Sequence, residues 1–512
     1  MALVTEQADA TGPMRLDALP ADVARPTYHR AALKSGIVHL GVGAFARAHL
    51  ALATEIALQR GGADGLRWGL TGVSLRDPAT RDALAPQDNL YTLAERDADA
   101  NGRPRETLRE TLRVIGAWRE LLVAPEDPAA VLARIAHADT AIVSLTITEK
   151  GYLADRQRHL MGEHPDTEHD LRHADAPRTA VGFIARGLAL RRAAGRGGIA
   201  LISLDNLPAN GALLRGLVLD FAQRCDPALA AWIDAGCSFP SSMVDRIVPR
   251  TTDADRDRIA LRLGQRDAWP VVAEPYFEWA LEDRFVAGRP DWQHAGVHFV
   301  EDVAPWEKLK LRMVNGAHSS LAYLGVLAGW PTVDAAMTQP GLRAHLDALL
   351  RDEIEPTLDA ARSLPGLDLA AYRRGLLARF GNPALAHRTQ QIAMDGSQKL
   401  PQRLLDTVRD RLAAGASIDR LALGVAAWLH SLREVDEAGA PQPLDDPQAA
   451  ALRALHASAD ALPDARSRAT LMLGYAPVFG DLAGCAEFID AVAAAWSSLR
   501  RVGVLRTLQQ RV

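Results

Sequence analysis

The fold is decided by the stretch GIVHLGVGAFA at residues 36–46. Its first half is an apolar run that predicts a buried strand, and its second half opens a helical segment that reaches about Arg60. Between them stands the pattern Gly41-x-Gly43-x-x-Ala46. In a strand–turn–helix unit, such glycines permit a tight turn and a close backbone approach to a pyrophosphate, and the small third residue permits close packing. The stretch therefore predicts a dinucleotide-binding turn, although a purely structural glycine turn has the same pattern.

The expected cofactor contacts in this turn are Gly41, Gly43, Ala44 and Phe45. An acid that binds a ribose is expected about 20 residues farther on, at the end of the second strand. The segment 68–75 predicts that strand, and the nearest acid after it is Asp77. A solvated loop aspartate would look the same, so Asp77 favours NAD over NADP without deciding between them.

The rest of the chain divides by pattern. Residues 140–148 and 199–204 are apolar and rich in β-branched side chains, which predicts buried parallel strands of an α/β domain. Past about residue 300, leucine, alanine and arginine recur at three- and four-residue spacing, which predicts mostly α-helix. We therefore expect a dinucleotide-binding α/β domain at residues 1–298 and a mostly α-helical substrate and catalytic domain at residues 299–512.

Length and composition fit this division and exclude some classes of function. A chain of 512 residues favours two domains, and a net charge of −5 lacks the basic excess of nucleic-acid binders. No apolar run is long enough to predict a transmembrane helix, and the N-terminus lacks the pattern of a secretory signal. The three cysteines form no CxxC pair, so neither a disulfide framework nor a zinc-thiolate site is indicated. We expect a cytoplasmic protein with no nucleic-acid or membrane partner.

The most informative segment is WEKLKLRMVNGAH at residues 306–318. On a regular α-helix, at about 100° per residue, one arc contains Glu307, Lys310, Asn315 and His318. Removing a hydroxyl proton while a hydride leaves the same carbon requires a base, and a lysine can serve if its surroundings lower its pKa. An asparagine amide can donate to the developing oxyanion. The same spacing is compatible with an amphipathic helix whose polar stripe is solvated.

Two further segments bear on the mechanism. Asn206 follows the strand at 199–204, and loops at the carboxyl ends of parallel strands bind ligands in α/β proteins, although an Asx turn would also place an asparagine there. His169 and His173 are four residues apart in a strongly polar stretch, for which we predict a surface loop rather than a metal site. The sequence has no HExxH motif, so we expect a mechanism without a metal.

These residues resemble the polyol-specific long-chain dehydrogenases, a family that includes mannitol 2-dehydrogenases and fructuronate reductases (D-mannonate oxidoreductases). The resemblance extends from about Ile37 to the C-terminus. It rests on an IVHLGxGAFxRAH opening at 37–49, an S-x-D-N motif at 203–206, an MVDRI motif at 243–247 and a K-x4-N-x2-H pattern at 310–318. One position departs from the opening motif: Ala46 stands where the family has histidine, and this fits the small-residue position of the glycine pattern.

The resemblance implies an N-terminal Rossmann-type domain, a mostly α-helical C-terminal domain, NAD as cofactor and a monomer. It implies that Lys310 is the general base in oxidation and the acid in reduction, and that Asn206 and Asn315 stabilise the oxyanion. Glu307 would sit near the base and assist proton exchange with solvent. The positions implied for substrate contacts are Asp245, His318, Arg388 and Lys399.

Motif differences bear on the substrate. The segments TEKGY at 148–152, MDGSQKLPQR at 394–403 and LALGVA at 421–426 are closer to fructuronate reductases, whereas TTDADR at 251–256 is closer to mannitol dehydrogenases. A keto-acid substrate brings a carboxylate, which requires a cation. The candidates for that cation are Lys150, Arg388, Lys399 and Arg403. We expect NADH-dependent reduction of D-fructuronate to D-mannonate, with oxidation of mannitol or a related alditol, or a catalytically inactive NAD-binding protein, as alternatives.

Overall fold

The computed structural model describes residues 14–97, 109–155, 157–362, 364 and 366–510. Residues 1–13, part of the stretch where no secretory signal is expected, lie outside the described residues. The described residues form two compact units, of which the first ends at Ala304 and the second begins at Pro305. Strand pairing in the first unit continues past residue 298, because His298–Val300 pairs with Glu278–Glu282. The domain boundary at residues 298 and 299 stays a prediction.

The first unit contains all the strands of the described residues. They are β1 (Ile37–Leu40), β2 (Leu70–Ser74), β3 (Tyr91–Asp97), β4 (Arg109–Ile115), β5 (Trp118–Val123), β6 (Ile142–Leu145), β7 (Ala200–Ser203), β8 (Ser242–Asp245), β9 (Val271–Ala273), β10 (Glu278–Glu282) and β11 (His298–Val300).

The main sheet is parallel throughout, with strand order β5-β2-β1-β6-β7. Two smaller sheets of three strands have the orders β11-β10-β8 and β4-β3-β9. In the main sheet, β1 lies in the centre, and Leu40 at its end is in register with Val73 on one side and Leu145 on the other. The carboxyl ends of β1, β2 and β6 therefore meet at one edge, where open α/β sheets bind ligands.

The strand sequences explain why this sheet is covered on both faces. Ile37 belongs to one hydrophobic core, and Val38 and Leu40 belong to another, as expected from the alternation of side chains along a strand. All four residues of β1 are buried, so the strand reads as a continuous apolar run except for His39. The helices of this unit are α1 (Ala44–Ala48), α2 (Leu50–Arg60), α3 (Gly62–Gly65), α4 (Ala79–Leu84), α5 (Pro128–Ala136), α6 (Thr148–Gly151), α7 (Pro165–Arg172), α8 (Ala180–Ala193), α9 (Asn210–Cys225), α10 (Pro227–Gly236) and α11 (Asp253–Leu263).

The second unit is helical. Its helices are α12 (Ala304–Leu309), α13 (Ala317–Leu327), α14 (Val333–Met337), α15 (Pro340–Ala348), α16 (Asp359–Arg362), α17 (Leu369–Phe380), α18 (Thr389–Ala393), α19 (Gly396–Leu400), α20 (Asp406–Ala413), α21 (Asp419–Ser431), α22 (Ala449–Asp460), α23 (Ala465–Leu473), α24 (Ala476–Phe479) and α25 (Ala486–Gln509). Three segments are π-helical: Lys310–Gly316, Leu349–Ile354 and Pro401–Leu405.

A central helix organises the core of this unit. Every residue of α13 is buried, and it packs against α21, which is buried from Leu421 to His430. A helix that is buried on all sides is typical of the centre of a large core rather than of its surface. Because α13 follows directly on the π-helical segment Lys310–Gly316, the rigid core reaches the polar residues of that segment.

The predicted architecture, an α/β dinucleotide-binding domain followed by a mostly helical domain, is confirmed. The strands expected at 36–40, 68–75, 140–148 and 199–204 correspond to β1, β2, β6 and β7. The surface loop predicted around His169 and His173 is wrong: His169 lies in α7, whose N-terminal turn begins with Pro165, and the two imidazoles stack at 4.3 Å. The i,i+4 spacing was the helical signal, and proline at the first helical position is favourable.

Candidate active site

The glycine turn after β1 borders a cleft of about 770 Å³ in the first unit. Gly41 has φ +97°, and a Cβ atom there would lie 2.0 Å from the carbonyl oxygen of Thr146, so only glycine fits. Gly43 is different, because no atom lies within 4 Å of the position that its Cβ would take. Both glycines line the cleft. The first therefore permits the turn, and the second leaves open space in which a ligand can approach the backbone.

A buried histidine on β1, His39, contacts this turn through its imidazole ring. His39 Nδ1 lies 2.8 Å from the hydroxyl of Ser144, and its Nε2 lies 3.1 Å from the carbonyl oxygen of Gly41. The Thr146 hydroxyl donates to the same carbonyl oxygen at 2.8 Å. Burial lowers the pKa of His39 to about 3, so the ring is neutral and can accept at one nitrogen while it donates at the other. The glycine turn is thus held by side chains of β1 and β6.

The ends of β2 and β6 supply further lining residues of the cleft. Asp77 is exposed there, and its carboxylate accepts from the backbone N–H of Ala79 at 3.1 Å, at the start of α4. Arg76 lines the cleft beside it. Lys150, expected near a substrate carboxylate, also lines this cleft, on α6. The lining of the cleft therefore offers a carboxylate, which can accept from hydroxyl groups, and cations, which can bind phosphates, and this combination fits a dinucleotide.

Two predicted cofactor contacts, Ala44 and Phe45, are not among the described residues that line the cleft. They begin α1, directly after the glycine turn. The ring of Phe45 stacks on that of His49, with centroids 4.9 Å apart. Their roles as cofactor contacts stay predictions.

Asn206 follows β7 and is exposed. The residue before it, Asp205, is half-buried, and its carboxylate accepts hydrogen bonds from the N–H groups of Ile147 and Thr148, both at 3.0 Å. These two residues also line the cleft. The S-x-D-N motif thus contains a structural carboxylate beside the amide that the sequence predicted to act. The sequence pattern alone indicated no role for Asp205.

The MVDRI motif lies on β8 and just after it. Asp245, the last residue of β8, is buried and in register with Glu278 of β10. Arg246 is also buried, and its guanidinium donates to the carbonyl oxygens of Glu274 and Ala48. The arginine therefore has a structural role, whereas the carboxylate of Asp245 lies at the end of β8, outside the parallel main sheet.

Lys310 opens the π-helical segment Lys310–Gly316 and is buried, with only 4% of its surface exposed. The regular α-helix assumed for this segment is therefore wrong. Because hydrogen bonds in a π-helix run from i to i+5, the backbone geometry brings Lys310 and Asn315 closer in angle than an α-helix would. Single π-helical turns occur frequently at functional sites. Glu307, half-buried in α12, lies one helical turn before Lys310.

A second π-helical segment packs against the one that contains Lys310. A Cβ atom on Gly316 would lie 2.8 Å from the carbonyl oxygen of Arg403, in the π-helical segment Pro401–Leu405. Glycine at this position therefore permits a close backbone approach, which a side chain would prevent. The approach places Arg403 beside the residues that follow Lys310. Its guanidinium donates to the Ser319 hydroxyl at 3.2 Å.

His318 is buried in the first turn of α13. Its ring stacks on Phe380 at 4.6 Å and meets His387 edge-on at 5.4 Å. Burial is the main reason that the pKa of His318 lies well below its usual value, and the neighbouring charges of His387, Arg403, Arg379 and Lys399 lower it further. The imidazole is therefore neutral. Its Nε2 atom has no hydrogen-bond partner among the described residues.

Arg379, Lys399 and Arg403 form a cationic group around the neutral His318, whereas burial lowers the pKa of His387. Lys399 lies on α19, where its ammonium donates to the carbonyl oxygen of Ile392 at 3.3 Å. Arg379 precedes Phe380 on α17 and was not singled out by the sequence. Arg388 is exposed at the start of α18, directly after His387. The structure thus brings His318, Lys399 and Arg403 together in the second unit, whereas Asn206 and Asp245 belong to the first.

Comparison with known proteins decides the family. A family model of the mannitol dehydrogenase Rossmann domain matches residues 35–294, and one of the mannitol dehydrogenase C-terminal domain matches residues 302–500. The chain belongs to the mannitol dehydrogenase family. It is accordingly a dehydrogenase of the class that acts on a CH–OH group of a polyol or sugar acid, and the predicted resemblance is confirmed.

Relatives within the mannitol dehydrogenase family act on different substrates. The D-mannonate oxidoreductase of Escherichia coli (strain K12) is 44% identical over 484 residues, which cover 93% of this chain and 96% of that protein. The mannitol 2-dehydrogenase of Pyrenophora tritici-repentis is 38% identical over 496 residues, covering 96% and 84%. The Pseudomonas fluorescens mannitol 2-dehydrogenase in ternary complex with NAD and D-mannitol matches with a TM-score of 0.85 and 38% identity, over 98% of this chain and 99% of that one.

Two other kinds of site are absent from the described part of the chain. It contains no group of three or more histidine, cysteine, aspartate or glutamate side chains arranged to hold a metal ion. It also contains no helix with the length and hydropathy needed to cross a membrane.

Proposed function

We propose that the chain is an NAD-dependent fructuronate reductase, which interconverts D-fructuronate and NADH with D-mannonate and NAD. The observation that carries this proposal is the cationic group around His318, because a uronate differs from the corresponding ketose by its carboxylate. The identity of 44% to a D-mannonate oxidoreductase over nearly the whole chain supports it. NAD is the cofactor, in agreement with the glycine turn, with Asp77, and with the NAD complex of the Pseudomonas relative.

The residues of the chain have complementary tasks in this reaction. The cofactor, when bound, exchanges the hydride with the substrate carbon. Lys310 gives a proton to the keto oxygen in reduction and takes it back in oxidation, and its burial keeps bulk water from competing for that proton. Asn206 and Asn315 donate amide hydrogen bonds to the oxygen as negative charge develops on it. Glu307, half-buried one turn before Lys310, exchanges the proton with solvent.

Binding of the other substrate oxygens falls to neutral and cationic groups. A neutral His318 whose Nε2 atom lacks a partner among the described residues can hydrogen-bond a substrate hydroxyl in either tautomer. Asp245 accepts from another hydroxyl. Arg403 binds the carboxylate with Lys399, and Arg388 and Lys150 are weaker candidates because both are exposed.

Replacing Arg403 by methionine tests the carboxylate contact. Loss of one charge-assisted contact is expected to lower kcat/KM for D-fructuronate by about 10- to 100-fold, with most of the loss in KM, since the carboxylate is held in ground and transition states alike. The kcat/KM for D-fructose, which has no carboxylate, is expected to change by less than about threefold. Steady-state kinetics with both ketoses and NADH measure the two values.

A matched control for this variant is Arg409→Met on α20. Arg409 forms ion pairs with Asp406 and Asp481 at the surface, so this change removes an arginine without removing the cationic group around His318. It is expected to leave both kcat/KM values unchanged. An equal loss with D-fructose and D-fructuronate in the Arg403 variant would remove Arg403 from carboxylate recognition.

A second candidate function is mannitol 2-dehydrogenase. The segment TTDADR at 251–256 favours it, as do the identity of 38% and TM-score of 0.85 to the Pseudomonas enzyme. A substrate panel with both pairs of substrates, D-fructuronate with D-mannonate and D-fructose with mannitol, separates the two functions. The expected monomeric state and cytoplasmic location stay predictions.

A further inference from the structure

One carboxylate joins two strand ends of the main sheet at the cofactor cleft. Asp205 follows β7, and its two oxygens accept from the backbone N–H groups of Ile147 and Thr148, which follow β6. The hydroxyl of Tyr152 donates to the same carboxylate at 2.7 Å. A single side chain therefore satisfies two backbone donors of a neighbouring loop and one phenol, and Asn206 is the next residue in the chain.

The loop on the β6 side needs such an anchor. Thr148 has φ +62°, in the left-handed region that non-glycine residues rarely adopt, and the N–H groups at residues 147 and 148 stand at the beginning of α6. On its other side, this loop contacts the glycine turn, because the Thr146 hydroxyl donates to the carbonyl oxygen of Gly41. The loop at Thr146–Thr148 is thus held by hydrogen bonds to Gly41 on one side and to Asp205 on the other.

The β7 side is fixed independently. The buried amide of Asn210 donates to the carbonyl oxygens of Ser203, Asp205 and Ser242, at 3.2, 3.0 and 2.9 Å, and its oxygen accepts from the N–H of Ser242 at 2.9 Å. The amide of Asn210 therefore holds the backbone at Ser203 and Asp205 against that of Ser242. Because Asp205 is held in this way, its hydrogen bonds to Ile147 and Thr148 fix the position of residues that line the cleft.

We propose that Asp205 is a positioning residue that ties the wall of the cofactor cleft at Thr146–Thr148 to the loop that carries Asn206. The role at the cleft wall stands on the hydrogen bonds described here, whereas the alignment of Asn206 rests on the proposed function. Asp205 touches neither substrate nor cofactor in this role. It acts by holding the cleft wall for NADH and the amide for the keto oxygen in one fixed arrangement.

Replacing Asp205 by asparagine tests this role. The amide keeps the shape of the side chain but presents a donor to one of the two backbone N–H groups, which then loses its acceptor. The dissociation constant for NADH is expected to rise by about 10-fold and kcat to fall by about 10- to 100-fold. Quenching of protein fluorescence measures NADH binding without any substrate, and thermal unfolding measures stability separately.

The pH dependence provides a readout that loss of stability alone does not produce. Burial raises the pKa of Asp205 despite its three hydrogen bonds, so its ionised form prevails only above this raised pKa. The other titratable or charged groups on the elements around it are Tyr152, Glu149 and Lys150 on or beside α6, and Arg158, which donates to the carbonyl oxygen of Pro208. Protonation removes an acceptor, so NADH affinity of the wild type should fall toward acid pH, and this fall should be smaller in Asp205→Asn.

Two more variants complete the experiment. Asp226→Asn is the matched control, since Asp226 also accepts a backbone hydrogen bond, from Ala228, but at the start of α10 and outside the cleft, and it should leave NADH affinity unchanged. Tyr152→Phe removes one of the three contacts and should weaken NADH binding by about threefold. If Asp205→Asn does not fold, the NADH affinity of Tyr152→Phe tests the proposal in its place.

The proposal is overturned if Asp205→Asn, or Tyr152→Phe in its place, binds NADH and turns over like the wild type, or if its activity falls only in proportion to the unfolded fraction. Failure of the proposed function looks different. In that case, the wild type binds NADH but reduces no keto acid, and the effect of Asp205 on NADH affinity remains measurable.

Discussion

Replacing Lys310 by methionine is expected to lower kcat by about 10²- to 10⁴-fold, because the variant loses the group that exchanges the proton with the substrate oxygen. Methionine is close to lysine in length and apolar, so the buried position stays filled and no cavity forms. The affinity for NADH should stay within about twofold of that of the wild type, since the glycine turn belongs to the other unit. Single-turnover kinetics and NADH titration measure the two quantities.

The matched control is Lys308→Met in the same stretch of chain. Lys308 is half-exposed and forms a surface ion pair with Asp410, a contact worth about 1 kcal/mol or less. This variant should keep wild-type kcat. Full activity of Lys310→Met would contradict the role of Lys310, and equal losses in both variants would point to a distorted helix rather than to a lost base.

Alanine at Gly41 is expected to destabilise the protein strongly, whereas alanine at Gly43 is expected to leave its stability almost unchanged. At Gly41, the methyl group meets a backbone oxygen at 2.0 Å on top of a positive φ, so the free energy of unfolding should fall by about 3 kcal/mol or more. At Gly43, the methyl group meets nothing within 4 Å, and the free energy of unfolding should stay within about 0.5 kcal/mol of the wild-type value. Denaturant unfolding measures both.

Cofactor affinity is expected to fall in both variants. The methyl group on Gly43 occupies the open space beside the backbone that a pyrophosphate needs, so NADH should bind at least about 10-fold more weakly to a fully folded protein. A stable Gly43→Ala variant with unchanged NADH affinity would mean that the glycine turn is a packing feature only. An unchanged stability of Gly41→Ala would mean that the turn can relax away from Thr146.

The strands that the sequence predicted most clearly are those whose residues are almost all apolar. β1, β6 and β7 lie within the main sheet and are wholly buried, so the pattern of each strand reports its place directly. β3 and β4 were not predicted from the sequence, and they carry polar and charged side chains from Glu95 to Asp97 and from Arg109 to Thr111. They form a separate sheet with β9, and they are stabilised by strand pairing and by ion pairs such as Arg96–Glu110, which an apolar pattern does not indicate.

The π-helical geometry at Lys310 was not predictable from local sequence. Gly316, at the end of the π-helical segment, packs against Arg403, which is far away in the chain, and local residue patterns do not indicate such a contact. For the same reason, the sequence indicated Arg403 only through a motif difference and gave no sign of Arg379. Asp205 belongs to the S-x-D-N motif, but its role follows only from its hydrogen bonds to the loop after β6, which the motif does not indicate.

The most direct test of the account is the ratio of kcat/KM for D-fructuronate to kcat/KM for D-fructose, measured with NADH by following the absorbance of the reduced nicotinamide. Because the cationic group around His318 favours a carboxylate, the ratio is expected to be about 10² or larger, and D-mannonate should reduce NAD in the reverse direction. Rapid turnover of D-fructose and mannitol without turnover of D-fructuronate and D-mannonate would contradict the account.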